Sequence, residues 1–270
     1  MPDTRISRVF DRLKRDGRKG MVAYITAGDP SPGRTPSLVE ALERGGADVI
    51  ELGVPFSDPI ADGPVIQRAG ERALAAGTTL REVLAIAARI RERSGIPLLL
   101  FTYLNPVVRY GVEELARDAA AAGIDGCLLT DASVEEAGEY VEIMRRHGLD
   151  TVFLAAPTST ERRLKLIAEY STGFVYLVSR TGVTGEQESL SAAALPLIKA
   201  VRNVTDLPLA VGFGVSKKEH VAELGREAEA VVVGSAIMRL IERNGGDASL
   251  EPQLESFIRE LKSGFGAGRT

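Results

Sequence analysis

A (β/α)8 barrel, the TIM-barrel architecture, with an additional N-terminal helix is the fold this sequence predicts, and three observations predict it. Eight short apolar runs recur along the 270 residues, at 22–27, 49–54, 98–103, 126–130, 151–156, 174–179, 209–212 and 230–234. None alternates cleanly with charged residues, the pattern of parallel strands covered on both faces. Segments with apolar residues at three-to-four spacing separate the runs. No long linker or composition break divides the chain, so a single domain over residues 1–270 is expected.

The segment 6–14 precedes the first strand and supplies the extra helix. Helices are then expected over 35–44, 80–93, 112–122, 134–146, 161–169, 190–201 and 217–224. In the segment starting at residue 80, Leu80, Val83, Leu84 and Ala87 form one apolar stripe that can cover a sheet while Arg and Glu face water. Gly45-Gly46, Gly95, Gly123 and Gly148 lie near helix ends, where glycine accepts left-handed backbone at little steric cost. Ser133 before Val-Glu-Glu and Ser216 before Lys-Lys-Glu are expected N-caps, each with an acidic residue three positions later. A doubly wound open sheet is the rival architecture, and the lack of an early glycine-rich dinucleotide fingerprint gives it little help.

Composition removes several function classes. The 33 basic and 37 acidic residues are interspersed and leave a net charge of −4, so no basic track for nucleic acid is apparent. Cys127 is the only cysteine, which excludes an internal disulfide and a cysteine metal cluster. It is expected to be a buried small hydrophobe in a reducing compartment. His147 and His220, the only histidines, sit in Arg-Arg-His-Gly and Lys-Glu-His-Val and read as helix surface, so no metal site is expected. The amino terminus lacks a secretory apolar segment and no stretch approaches a span of about 20 apolar residues, so a cytoplasmic protein without membrane association is expected.

The candidate chemistry concentrates in Glu51-Leu-Gly-Val-Pro-Phe-Ser-Asp-Pro-Ile-Ala-Asp-Gly-Pro64. Glu51 lies inside an apolar strand, and a carboxylate there needs a partner or a purpose. Alternate strand residues point into a barrel and catalytic groups gather at strand C-terminal ends, which favours chemistry over an internal salt bridge for Glu51. Gly53 and the prolines end the strand, and a loop follows that carries Asp58 and Asp62. Asp62 has two open readings, a carboxylate folded over the barrel mouth or a cap for the next helix. Asp58 beside Pro59 reads as a turn or interface residue.

Late in the chain, Gly182-Val-Thr-Gly185, Gly212-Phe-Gly214 and Gly234-Ser235 follow the last three strands. A phosphate site near the final strands and a short helix is recurrent in this architecture, and the amides of Gly214, Gly234 and Ser235 are suited to it. A small phosphorylated metabolite is the expected ligand.

The motif starting at Glu51, with Thr102-Tyr-Leu-Asn-Pro106, Ser179-Arg-Thr-Gly-Val-Thr-Gly185, Gly212-Phe-Gly-Val-Ser216 and Gly234-Ser-Ala236, resembles the tryptophan synthase alpha subunit family in barrel order over most of the chain. The resemblance implies a carbon–carbon lyase that cleaves indole-3-glycerol phosphate reversibly to indole and glyceraldehyde 3-phosphate. It implies Glu51 as principal acid/base and Asp62 as second catalytic carboxylate. Tyr176 matches a family aromatic near the active site, and Gly185, Gly214, Gly234 and Ser235 fall in the matched phosphate loops. Tyr24 takes a substrate-side position often held by phenylalanine, which keeps the aromatic face and adds a hydroxyl. Thr184 belongs to a loop that closes over substrate, and Asp58 and Pro59 to a loop that contacts the partner. The implied partner is a beta subunit carrying pyridoxal phosphate, in an alpha2-beta2 complex, with no cofactor in this chain. A different sugar-phosphate barrel lyase or isomerase, and a non-catalytic regulatory alpha-like protein, are the competing readings.

Overall fold

The computed structural model describes residues 3–179 and 190–266. Its strands are β1 (Gly20–Thr26), β2 (Val49–Gly53), β3 (Leu98–Thr102), β4 (Gly126–Leu129), β5 (Asp150–Val152), β6 (Leu154–Ala155), β7 (Val175–Val178), β8 (Leu209–Gly212) and β9 (Ala230–Val233). All pair in parallel, in the order β5-β4-β3-β2-β1-β9-β8-β7-β6. The two ends of this sheet, β5 and β6, are separated in the chain by Phe153 alone. The expected fifth strand is therefore one stave in two pieces, β5 paired to β4 and β6 to β7. The Phe153 carbonyl accepts from the Tyr176 amide at 3.2 Å and closes the barrel there. Eight runs became eight staves.

Helices α1 (Arg5–Arg15), α2 (Thr35–Gly45), α3 (Pro64–Ala75), α4 (Leu80–Arg91), α5 (Leu104–Tyr110), α6 (Val112–Ala121), α7 (Gly138–Arg146), α8 (Glu161–Tyr170), α9 (Leu190–Arg202), α10 (Lys218–Leu224), α11 (Ser235–Asn244) and α12 (Leu250–Lys262) alternate with or follow the strands. Four of them, α3, α5, α11 and α12, lie outside the helices expected from spacing. The expected 134–146 helix is a 3-10 turn over Val134–Glu136 followed by α7. Ser133 takes the N-cap position of that turn but makes no side-chain cap bond, and Ser216 lies one residue outside the cap of α10. The Ser133 hydroxyl donates instead to Glu135 at 2.6 Å, and α10 starts after Lys217, with the Ser216 amide donating to His220 Nδ1 at 3.3 Å.

Two apolar layers result from strand alternation. Outward residues such as Ile25, Ile50, Leu52, Leu98 and Leu100 pack under the helices. Inward residues Val22, Val49, Leu99, Leu128, Val152 and Phe174 fill the barrel and meet Ile6, Val9, Phe10 and Leu13 of α1. That helix opens on a capping box: the Ser7 amide donates to Thr4 Oγ1 at 3.1 Å and the Thr4 amide to Ser7 Oγ at 3.0 Å. Its basic last turn, Arg12, Lys14 and Arg15, suits a helix C-terminus. The Thr4 hydroxyl also bonds Asp150 on β5, so α1 is tied to the staves it plugs. The Phe10 and Phe174 rings are 5.5 Å apart across this floor. The strand C-terminal ends form the opposite mouth.

Candidate active site

Register builds the site. Glu51 on β2 lies between Tyr24 on β1 and Leu99 on β3, all three pointing inward. One inward position further along, Phe101 stands edge-on to Tyr24 at 5.2 Å and 6.5 Å from Tyr176. An arc of three aromatic rings follows. Glycines make room for two of them: a Cβ at Gly53 would run into the Tyr24 hydroxyl, and one at Gly212 would come within 2.7 Å of the Tyr176 hydroxyl. The Tyr24 hydroxyl lies 3.3 Å from Thr26 Oγ1.

Above the arc is a cavity of about 160 Å³. It brings together Tyr24, Asp62, Tyr176, Gly214, Gly234 and Ser235, all singled out in the sequence, and adds Phe101, Ile66 and Arg239. Gly214 has φ +71°, left-handed backbone that favours glycine. Ser235 is the first residue of α11, whose N-cap is Gly234 and whose start has no side-chain cap. Unused amides and the helix dipole therefore face the cavity. Thr184 and Gly185 lie outside the described residues.

Glu51 does not line that cavity. It is 0% exposed, beneath the tyrosines, and neither carboxyl oxygen has a hydrogen-bond partner. Burial without compensation raises its pKa to about 8. It is neutral through most of the physiological range.

Asp62 is half-buried on the loop after β2. The N-cap of α3 is Gly63 with Pro64 as first helical residue, so Asp62 lies one position outside the cap. Its capping alternative is thereby removed. Gln67, one turn into α3, donates from Nε2 to the Asp62 carbonyl at 2.9 Å and the Pro59 carbonyl at 3.4 Å, which holds the loop to the helix. Tyr103, the residue after β3, accepts from the Ala61 amide at 3.0 Å and bonds the Asp62 carboxylate. Burial raises the Asp62 pKa to about 6, and the Tyr103 bond opposes that rise. Tyr103→Phe should therefore move the midpoint of an Asp62 carboxyl NMR titration upward by about half to one pH unit, the worth of one ordinary hydrogen bond. An unmoved midpoint would remove Tyr103 from the site. Sequence reasoning quoted Tyr103 within a motif without assigning it a role, and passed over Gln67, Phe101 and Arg239.

On the rim, Asp58 is exposed and Pro59 half-buried, and the Asp58 carboxylate accepts from the Ser57 hydroxyl at 2.5 Å. Next to them Ile60 is 87% exposed, and on α5 Val108 is 61% exposed. Among the described residues no group of three or more His, Cys, Asp or Glu could hold a metal ion, and no helix is long and apolar enough to cross a membrane. Cys127 is a buried free thiol on β4, with its pKa pushed up to about 12 by burial.

Comparison with known proteins agrees along the chain. The family model described as tryptophan synthase alpha chain matches residues 10–265. A tryptophan synthase alpha chain from Solibacter usitatus is 76% identical over 264 residues, covering 98% of this chain and 99% of that one. The Geobacter sulfurreducens alpha chain is 46% identical, covering 97% and 99% respectively. Among solved structures, tryptophan synthase subunit alpha from Legionella pneumophila superposes with a TM-score of 0.89 at 36% identity, covering 97% of this chain and 98% of that chain. A chain of Mycobacterium tuberculosis tryptophan synthase gives 0.89 at 38% identity, covering 98% and 99%.

Proposed function

The chain belongs to the tryptophan synthase alpha chain family, and from that premise we propose that Glu51 and Asp62 divide between them the cleavage of indole-3-glycerol phosphate to indole and glyceraldehyde 3-phosphate. The enzyme is a lyase of tryptophan biosynthesis. The observation that carries the division of labour is the different setting of the two carboxyls, Glu51 fully buried with no hydrogen-bond partner and Asp62 half-buried on the cavity wall, which raises both pKa values but leaves Glu51 near 8 and Asp62 near 6. At pH 7 one holds a proton and the other a charge.

Breaking the bond from indole C3 to the glyceryl side chain needs a proton at C3 and removal of one from the neighbouring hydroxyl. Protonated Glu51 delivers the first. Its carboxylate then takes the second as the carbon–carbon bonding pair stays with the ring and the hydroxyl carbon becomes an aldehyde, so no net proton is consumed. Asp62 accepts a hydrogen bond from the indole N–H, which gains positive character as C3 is protonated. To act, the Glu51 carboxyl must turn into the cavity from its place under the tyrosines. With no partner on either oxygen, that rotation breaks no hydrogen bond. The aromatic arc of Tyr24, Phe101 and Tyr176 suits a flat indole, and Gly214, Gly234 and Ser235 suit a phosphate. Thr184 and Gly185 complete the substrate side in the same proposal, with Thr184 on a closing loop.

This alpha chain works without a cofactor of its own, beside a beta subunit that holds pyridoxal phosphate in an alpha2-beta2 complex. Asp58 and Pro59 communicate with that subunit, and the exposed Ile60 and Val108 on the same face support an apolar docking surface there. A cytoplasmic setting suits a chain whose single cysteine is a buried thiol. The test is indole release from indole-3-glycerol phosphate by the full chain, alone and with the beta subunit. Release in both conditions, faster with the partner, is the expected result, and folded protein that releases none in either would overturn it.

A further inference from the structure

Helical side chains lean toward their N-terminus, and residues four apart share a face. Arg239 stands one turn after Ser235 on α11, so its side chain leads back toward the helix start, and it does line the cavity. Glu242 lies three residues further on, where an opposite charge would ordinarily pair with Arg239 along the helix. It is already engaged. Glu242 Oε1 accepts from Arg68 Nε at 2.7 Å and Arg72 Nη1 at 3.0 Å, and Oε2 accepts from Arg68 Nη2 at 3.0 Å. Arg72 in turn makes two bonds, at 2.8 and 2.7 Å, to the fully buried carboxylate of Asp29. This network fastens α11 to α3 and turns Glu242 away from the cavity. Among the described residues Arg239 forms no ion pair.

The other charged group lining the cavity is Asp62, and only burial and the Tyr103 bond shift its carboxyl. Among the described residues no salt bridge joins Arg239 to Asp62. The cavity thus keeps a negative group and a positive group apart. An indole glycerol phosphate has the complementary pattern, an N–H donor at one end and a dianion at the other.

We propose that Arg239 is the cation that receives the substrate's phosphate, selecting phosphomonoesters and fixing the direction in which substrate lies in the cavity. The inference rests on the phosphate assignment of Gly214, Gly234 and Ser235, to which it adds the only formal positive charge lining the cavity among the described residues. A guanidinium matches phosphate with two parallel donors, and substrate bound the other way round would set its phosphate against Asp62. Arg239 acts in binding and orientation, so its removal should appear in KM rather than in the chemical step.

The experiment compares wild type, Arg239→Gln and Arg239→Lys in the complex with the beta subunit. It uses indole-3-glycerol phosphate, its unphosphorylated analogue, and glycerol 3-phosphate as inhibitor. Arg239→Gln should raise KM for the phosphorylated substrate by about 10- to 100-fold and weaken glycerol 3-phosphate inhibition by the same factor, with kcat within about threefold. Arg239→Lys should recover part of both, and KM for the unphosphorylated analogue should be alike in all three proteins. If Arg239→Gln keeps the wild-type KM and inhibition while wild type still prefers the phosphorylated substrate, this inference fails and the phosphate site stands. If wild type itself shows no such preference, the phosphate assignment fails and this inference with it.

Discussion

Glu51→Gln is expected to lower kcat for indole release by about 10²- to 10⁴-fold, the usual worth of a positioned acid/base, while making the protein more stable at neutral and alkaline pH. Both effects come from the same burial. The Glu51 carboxyl titrates near 8 in the folded protein against 4.5 for the free group. Between those values the folded state keeps a proton that the unfolded chain has released, so rising pH favours unfolding. Wild type is most stable with respect to this group below about pH 4.5 and loses stability up to about pH 8, by an amount on the order of 3 kcal/mol at pH 7. Gln carries no titrating proton and is close in shape to the protonated acid. Denaturation curves of the two proteins should therefore converge near pH 4 and separate toward pH 8, with the variant the more stable. A variant with near wild-type turnover would end the catalytic assignment. Parallel pH dependence of stability would show that Glu51 is solvated in the folded state.

Asp62→Asn is expected to lower kcat/KM by about 10²-fold and to remove one limb of the pH profile. In wild type, activity should rise through pH 6 as Asp62 ionises and fall through pH 8 as Glu51 loses its proton, with a maximum near pH 7. The variant should keep the alkaline limb and lose the acid one. A substrate phosphate also titrates near pH 6, so the decisive quantity is the difference between wild type and variant on the same substrate. An acid limb that survives in Asp62→Asn assigns it to the phosphate and reduces Asp62 to a hydrogen-bond acceptor without a titration role.

The barrel was legible because buried parallel strands leave continuous apolar runs, and each of the eight marks a stave. Phe153 shows where that legibility stops. Its neighbours Val152 and Leu154 face the barrel interior, but the break between β5 and β6 depends on which neighbouring stave each half reaches. Helix α12 displays a clear stripe of Leu250, Leu254, Ile258 and Leu261, yet its place depends on α2 from the far end of the chain, where Gly45 lets Ile258 approach. Helix α5 carries Pro106 in its first turn, which masks it as a loop. At the site, Glu51 announced itself as an acid in an apolar strand. That neither oxygen has a partner is a three-dimensional fact, because partners could have come from any of the other staves. Tyr103 and Gln67 act through bonds to a loop that has no local periodicity. Arg239 carried a readable signal, its position four residues after Ser235 and thus one helical turn beyond the Gly234-Ser235 pair.

The floor laid by Ile6, Val9, Phe10 and Leu13 makes the barrel a vessel with one door. Substrate arrives, and both fragments depart, through the face where the strands end. Ile60, after β2, and Val108, after β3, stand exposed on the side of that doorway. The sealed base also keeps solvent from reaching Glu51 from below. Under the mechanism proposed for Glu51, the proton it gives up and the one it takes back would then circulate between enzyme and substrate, out of contact with bulk water, once a ligand fills the mouth.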